Sequence, residues 1–241
     1  MKRIVIIGGG AAGLMAACTA NYIYRNGGAE ITVIEKNERP ARKLMITGKG
    51  RCNVCNNCDI DTLIANVPEN GRFLYSAFSG FAPQDTMTFF ESLGVSLKTE
   101  RGNRVFPVSD KASDIVDALV KTAKRGGAEI IQGTAKRILT ENGAVSGVLL
   151  ENGEALPADS VILATGGMSY PLTGSTGDGY KIARALGHTV TEIKPSLVAL
   201  NAHEGFCERL AGLSLKNVAL SVFEEGRKKP VFSELGEILF T

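Results

Sequence analysis

Ile4-Val5-Ile6-Ile7-Gly8-Gly9-Gly10-Ala11-Ala12-Gly13 decides the fold. The opening run of β-branched residues is what a strand buried on both faces of a parallel sheet requires. Glycines at 8, 10 and 13 follow at once, in the spacing G-x-G-x-x-G. Leu14 to Tyr24 reads as a helix, with Ala16, Ala17 and Ala20 small enough for close packing, and Gly27-Gly28 ends it. Ile31-Thr32-Val33-Ile34 is a second strand, and Glu35 stands at its end. Strand, turn, helix, strand and acid in this order predict an α/β, Rossmann-like dinucleotide-binding unit.

Each part has a physical task. Gly8 allows the tight turn, Gly10 lets backbone approach a pyrophosphate, and Gly13 lets helix and strand pack closely. The helix start at Ala11 and Ala12 offers unpaired N–H groups and a positive dipole end to phosphates. Glu35 can accept hydrogen bonds from a ribose diol. A carboxylate there repels a 2′-phosphate, so NADP is not expected in this site.

Composition narrows the class. The chain has 241 residues, 44% of them hydrophobic, which is enough for a sizeable core. Its 28 glycines fall in a few short runs rather than being scattered, as expected where backbone meets a ligand. Net charge is +2, and no basic block is dense enough for a nucleic-acid footprint. Arg227-Lys228-Lys229 reads as a solvated turn before Pro230. No apolar run approaches the ~18 residues of a membrane span. After Met1-Lys2-Arg3 the apolar run breaks into glycines, unlike a signal peptide. The five cysteines fit a reducing compartment, and a cytoplasmic location is expected.

The βαβ unit alone serves FAD and NAD equally. The next segment, Arg42-Lys43-Leu44-Met45-Ile46-Thr47-Gly48-Lys49-Gly50-Arg51-Cys52-Asn53, is basic and glycine-bearing. A loop of this kind brings cations to a diphosphate. Further on, Pro83 to Leu93 reads as a helix and Gly94 to Glu100 as a strand. Gly102-Asn103 turns the chain into Arg104-Val105-Phe106-Pro107. A helix capped by Ser109 or Asp110 runs to about Arg125. Glu129 to Gly133 is a strand, Ala135 to Leu139 is extended, and Asn152-Gly153 joins Val145–Glu151 to Glu154–Pro157 as a hairpin. Ser160-Val161-Ile162-Leu163 is another buried strand. It ends in Ala164-Thr165-Gly166-Gly167, where a crevice at the carboxyl ends of parallel strands is expected.

Taken together, Gly8 to Gly13, Glu35-Lys36, Arg42-Lys43-Leu44 and Gly48 through Asn53 resemble a bacterial FAD-dependent family. That family includes aminoacetone-oxidase-like and bile-acid-linked reductase-like proteins. Arg104-Val105-Phe106-Pro107, Ala164 to Pro171, Thr173 to Tyr180 and Pro195-Ser196-Leu197-Val198 match it too. The resemblance covers essentially the whole chain. It implies a glutathione-reductase/succinate-dehydrogenase-type fold, FAD as cofactor, and flavin redox chemistry on a small organic substrate. It implies FAD contacts at the first βαβ unit, at Arg42, Lys43, Thr47, Gly48, Gly50, Arg51, Cys52 and Asn53, and at the later glycine turns. It also places Ala135 beside the adenine. Thr176-Gly177-Asp178-Gly179 resembles a helix start of succinate-dehydrogenase-type flavoproteins. Tyr170 and Asp178 are the catalytic candidates by position, although helix capping alone accounts for an aspartate at 178. There is no second G-x-G-x-x-G, so NAD(P)H, if it reduces the flavin, is expected to bind transiently.

Cys52, Cys55 and Cys58 form C-x-x-C-x-x-C, a spacing that can begin an iron–sulfur or zinc site. A fourth ligand would come from Cys18, Cys207, His188 or His203. Unpaired thiols in a flavin-side loop are the favoured reading, with a redox thiol pair and a cluster as alternatives. From Pro195 the βα alternation gives way to short strand-like runs at Leu197–Leu200, Val218–Phe223, Pro230–Phe232 and Ile238–Phe240. We expect an FAD-binding domain over 1–194 and the beginning of a β-rich substrate domain over 195–241. The resembling family continues well beyond this length and returns to the FAD domain. A truncated chain, lacking that return, is therefore the expectation, with a catalytically silent FAD-binding module as the rival to an enzyme.

Overall fold

The computed structural model describes residues 1–25, 27–195 and 199–240. Two compact units divide the chain, Met1–Glu192 and Ile193–Thr241. In the first, strand β1 (Lys2–Ile7), helix α1 (Ala11–Ile23) and strand β2 (Ala29–Glu35) form the βαβ unit. The expected loop after β2 contains a one-turn helix, α2 (Arg42–Ile46), followed by a 3-10 turn at Thr47–Gly50. Next come strand β3 (Cys55–Asn56) and helices α3 (Ile60–Ala65), α4 (Tyr75–Gly80) and α5 (Pro83–Ser92). Strands β4 (Leu97–Glu100) and β5 (Arg104–Pro107) make the expected hairpin, and β3 joins its β5 edge. Helix α6 (Ala112–Arg125) leads to β6 (Glu129–Gln132). An antiparallel sheet of β7 (Ala135–Glu141), β8 (Ala144–Leu150) and β9 (Ala155–Pro157) follows. The unit closes with β10 (Ser160–Leu163) and α7 (Asp178–Ala185).

The central sheet is parallel throughout, in the order β10-β1-β2-β6. Its two faces follow from the two-residue period of a strand. Ile4 and Ile6 of β1 and Ile31 and Val33 of β2 point to one side, against Leu14 and Ala17 of α1. Helix α6 packs there as well, because Ile115, Leu119 and Ala123 recur on one stripe. Val5, Ile7 and Ile34 point to the other side, against Val148 and Leu150 of β8. The run that reads as buried on both faces is therefore covered by helices on one and by the β7-β8-β9 sheet on the other. Each fully buried aliphatic side chain here, such as Ile6, contributes roughly 1.5–3 kcal/mol.

The α1–α6 packing is completed by two polar ties. The Asn21 amide donates to the Ala123 carbonyl at 2.8 Å, and the Cys18 thiol points at the Leu119 carbonyl at 3.6 Å. Burial pushes that thiol up to about 11. At the sheet's outer end, Asp159 receives the Arg3 backbone N–H at 2.7 Å and its guanidinium at 2.9 Å, tying the start of β1 to the β9–β10 turn.

The second unit holds helix α8 (Phe206–Arg209) and an antiparallel hairpin of β11 (Ser214–Val222) and β12 (Phe232–Leu239). The runs expected separately at Pro230–Phe232 and Ile238–Phe240 overlap the two ends of one strand, β12, at Phe232 and at Ile238-Leu239. The intervening Ser233-Glu234-Leu235-Gly236-Glu237 carries little strand propensity and is held by its pairing with β11. The strand-like run from Leu197 begins at positions 196–198, outside the described residues.

Candidate functional site

A cleft of about 560 Å³ opens at the carboxyl ends of β1, β2 and β10, within the first unit. That volume suits a small-molecule or cofactor site. The turn after β1 forms its floor. Gly8 adopts φ +109°, and its N–H donates to the Ile34 carbonyl at 2.8 Å. A Cβ at position 8 would run into the Ala164 carbonyl, and one at position 13 into the Gly8 carbonyl. These two glycines let strand, turn and helix close on one another. Gly10 is different: it lines the cleft, and a Cβ there would meet no protein atom within 4 Å. Space is thus kept beside the first turn of α1, where backbone N–H groups are free of helical partners.

Glu35 is buried at the end of β2. Its Oε2 accepts the Gly9 N–H at 2.9 Å, and its Oε1 accepts the Asn37 N–H at 2.8 Å and the Asn37 side-chain amide at 2.6 Å. An ionised carboxylate offers about four acceptor positions, so capacity for a ribose hydroxyl remains on the cleft side. Asn37 also donates to the Thr173 carbonyl at 3.2 Å, and its Oδ1 accepts from the Arg42 guanidinium at 3.2 Å. Arg42 keeps most of its N–H donors for an anion.

The segment after β10 forms the facing wall. The Lys36 ammonium donates to Asp178 Oδ2 and Thr176 Oγ1, each at 2.7 Å, joining the end of β2 to the start of α7. Lys36, and then Thr176, hold the Asp178 carboxyl below the usual carboxylate range. Lys43 reaches the Ser169 carbonyl at 3.4 Å and lies 5.8 Å from the Tyr170 ring centroid. Asp178 is the first residue of α7, whose N-cap is Gly177. Its carboxylate is therefore engaged with Lys36 and Thr176 rather than capping the helix.

Of the residues singled out from sequence, the structure brings Gly8, Gly10, Ala11 and Ala12 to the cleft wall with Glu35, Lys36, Arg42, Lys43 and Thr47. It also brings Ala135, Ala164, Thr165, Gly166 and Asp178 there. Gly13 lies beneath, in the α1–β1 contact. Thr176 borders the site through Lys36, and Gly167 through its carbonyl, which accepts the Gly177 N–H at 3.2 Å. Tyr170 stands outside the wall, 65% exposed.

Gly48, Gly50, Arg51, Cys52 and Asn53 do not line this cleft. Arg51 is turned to Glu100 at 2.9 Å and Asp110 at 3.3 Å and stacks 4.0 Å from the Phe106 ring centroid. Gly48 sits against Phe106, where a Cβ would come within 2.9 Å of the ring. Cys52 and Asn53 line a second, apolar pocket of about 290 Å³ with Met15, Phe81 and Phe90. Thr134, which the resemblance places with Ala135 beside the adenine, lines the cleft too, and the polar residues that sequence reasoning missed are Asn37, Thr173 and Ser175. For Asn37 the signal is its place two positions after the acid that ends β2; the others carry none.

Among the described residues, no three His, Cys, Asp or Glu side chains are grouped as a metal site. Burial raises the Cys52, Cys55 and Cys58 thiols above their ordinary value, Cys55 to about 11. That opposes a reactive thiolate. No helix among the described residues is long and apolar enough to cross a membrane.

The cleft's chemistry fits FAD: it has an N–H-rich helix start with room at Gly10, a buried acid and basic side chains at its edge. Comparison with known proteins agrees. Residues 2–240 match the HI0933-like protein Rossmann domain family. A 3-dehydro-bile acid delta(4,6)-reductase of Clostridium scindens is 36% identical over 214 residues, 88% of this chain and 51% of that protein. A ribosomal RNA dihydrouridine synthase of Escherichia coli is 29% identical over 98% of this chain and 56% of its own length. The chain thus spans about half the length of the curated relatives it matches. Among solved structures, L-proline dehydrogenase from P. horikoshii superposes with a TM-score of 0.50 at 16% identity, covering 79% of this chain and 57% of that one. An adenosine-5-phosphosulfate reductase gives a TM-score of 0.50 at 20% identity, covering 76% and 35%. These two likenesses show the fold.

Proposed function

The chain belongs to the HI0933-like protein Rossmann domain family, and from that premise we propose that it is the FAD-binding part of an oxidoreductase acting on a small organic substrate. The observation that carries this reading is the Gly10 floor and the Glu35 carboxylate facing one cleft with Arg42 and Lys43 at its edge. In this reading Glu35 holds the adenosine ribose, the first turn of α1 holds the pyrophosphate, and Arg42 and Lys43 offset its charge. Bound FAD would supply hydride or electron transfer, and the protein would bind it, orient it and exclude water. Residues 193–241 are proposed as the start of a β-rich substrate domain.

The relatives' names point to different substrates, a bile acid derivative in one case and ribosomal RNA in the other. Substrate identity is therefore not carried over. NAD(P)H is proposed as a transient reductant and the cytoplasm as the location.

The test is the absorption spectrum of the purified chain with FAD, before and after anaerobic NADH. Flavin bands at near-stoichiometric occupancy that bleach with NADH support a reductase. Bands that persist point to an oxidase or another donor. A chain that takes up no FAD overturns the reading. A second reading is a module that binds FAD without turnover. It predicts flavin bands with no reaction toward any substrate tried.

A further inference from the structure

The polar network around the cleft converges on a residue to which neither motif nor family assigns a role. Asn37 meets three parts of the site at once. Its backbone and side-chain amides both donate to Glu35 Oε1, its Nδ2 also reaches the Thr173 carbonyl, and its Oδ1 accepts from Arg42. The Arg42 contact decides which way the amide faces. With a donor on one side, the oxygen must lie there, and Nδ2 is turned to Glu35 and Thr173. Glu35 Oε2 is meanwhile engaged by the Gly9 N–H. The carboxylate is thus held from both ends, in the plane set by two fixed groups, before any ligand arrives.

We propose that Asn37 is the positioning residue of the adenosine half-site, orienting the Glu35 carboxylate for the ribose diol. This rests on the reading of the cleft as a dinucleotide site. Preorganisation of this kind raises affinity by removing the cost of ordering the groups on binding. Losing Nδ2 removes one of the three N–H groups that fix the Glu35 carboxylate, together with the tie to the Thr173 carbonyl. The effect falls on contacts to the ribose hydroxyls more than on the adenine or the diphosphate.

The experiment uses the full chain and two probes, ADP and 2′-deoxy-ADP, with binding measured by calorimetry and folding checked by thermal unfolding. The wild type is expected to prefer ADP. Asn37→Ala should weaken ADP by roughly tenfold and 2′-deoxy-ADP much less, collapsing the preference. Asn37→Asp keeps the shape, removes both side-chain donors and sets a second carboxylate against Glu35, so it should lose more. In a Glu35→Gln background, Asn37→Ala should change the preference no further. Equal weakening of both probes, or an unchanged preference in a folded variant, overturns the proposal. A wild type that binds neither ADP nor FAD overturns it together with the dinucleotide reading. A wild type that binds both, with the preference intact in Asn37→Ala, overturns the role of Asn37 alone.

Discussion

Lys36 and Asp178, 142 positions apart in the chain, meet at 2.7 Å and join the end of β2 to the first turn of α7. Both side chains are about a quarter to a third exposed. The pair places a wall of the cleft that no single stretch of sequence contains.

This contact has a pH signature. Lys36 is the first cause of the lowered Asp178 pKa. A carboxyl depressed in the folded state adds stability above its unfolded pKa, about 4. It loses that contribution as pH falls through the folded value. Lys36→Met should therefore cost up to about 1 kcal/mol at pH 7, and the gap to wild type should narrow as pH falls below ~4. Urea unfolding of the ligand-free chain at pH 7 and pH 3 measures both. A gap that does not narrow between pH 7 and pH 3 rules out the ion pair as its source.

Gly10 and Gly13 are three residues apart and should behave oppositely. Gly13→Ala drives a methyl into the Gly8 carbonyl and should cost roughly 1–3 kcal/mol of stability or prevent folding. Gly10→Ala meets nothing in the protein, so unfolding should move by only a few tenths of a kcal/mol. FAD uptake, followed by flavin fluorescence quenching, should fall more than tenfold because the methyl takes the space kept for phosphate. Normal FAD binding by Gly10→Ala would remove the pyrophosphate from this position.

Arg42 and Arg51 look alike in sequence but are spent differently. Arg42→Ala should weaken FAD by roughly tenfold with little change in unfolding. Arg51 stacks on Phe106 and pairs with Glu100, so Arg51→Ala should cost about 1–2 kcal/mol of stability. Once allowance is made for folding, FAD should bind it better than it binds Arg42→Ala. Parallel denaturation and FAD titration separate the two, and a reversed ranking would put Arg51 at the cofactor.

Cys55, raised to about 11 by burial, should be a slow nucleophile. On the order of one such thiol in a thousand is ionised at pH 8. Mass spectrometry after a short iodoacetamide pulse should find Cys55 unmodified in the folded chain and modified in urea. Rapid labelling of the folded chain at pH 8, or a visible band beyond the flavin peaks that disappears in Cys55→Ser, would revive the thiol-redox or cluster reading.

Much of this is legible in the amino-acid sequence. Ile4 to Gly13 specified strand, turn and helix because β-branched runs, glycine spacing and small helical residues act within a few positions of one another. The hairpin at Gly102-Asn103 and the turn at Asn152-Gly153 were legible for the same local reason. The one-turn helix at Arg42–Ile46 was not, since so short a helix has no period to detect. β12 was read as two pieces because pairing with β11, not propensity, holds its middle.

The βαβ core, its glycine floor and the acid at the end of β2 follow from the chain alone, all set by steric and hydrogen-bonding rules of neighbouring residues. The folded arrangement alone pairs Arg51 with Glu100 and Phe106, Lys36 with Asp178, and links Asn37 to Glu35, Arg42 and Thr173. A side chain's charge is written in the chain. The group that satisfies it is chosen by which segments the sheet brings within about 3 Å of one another.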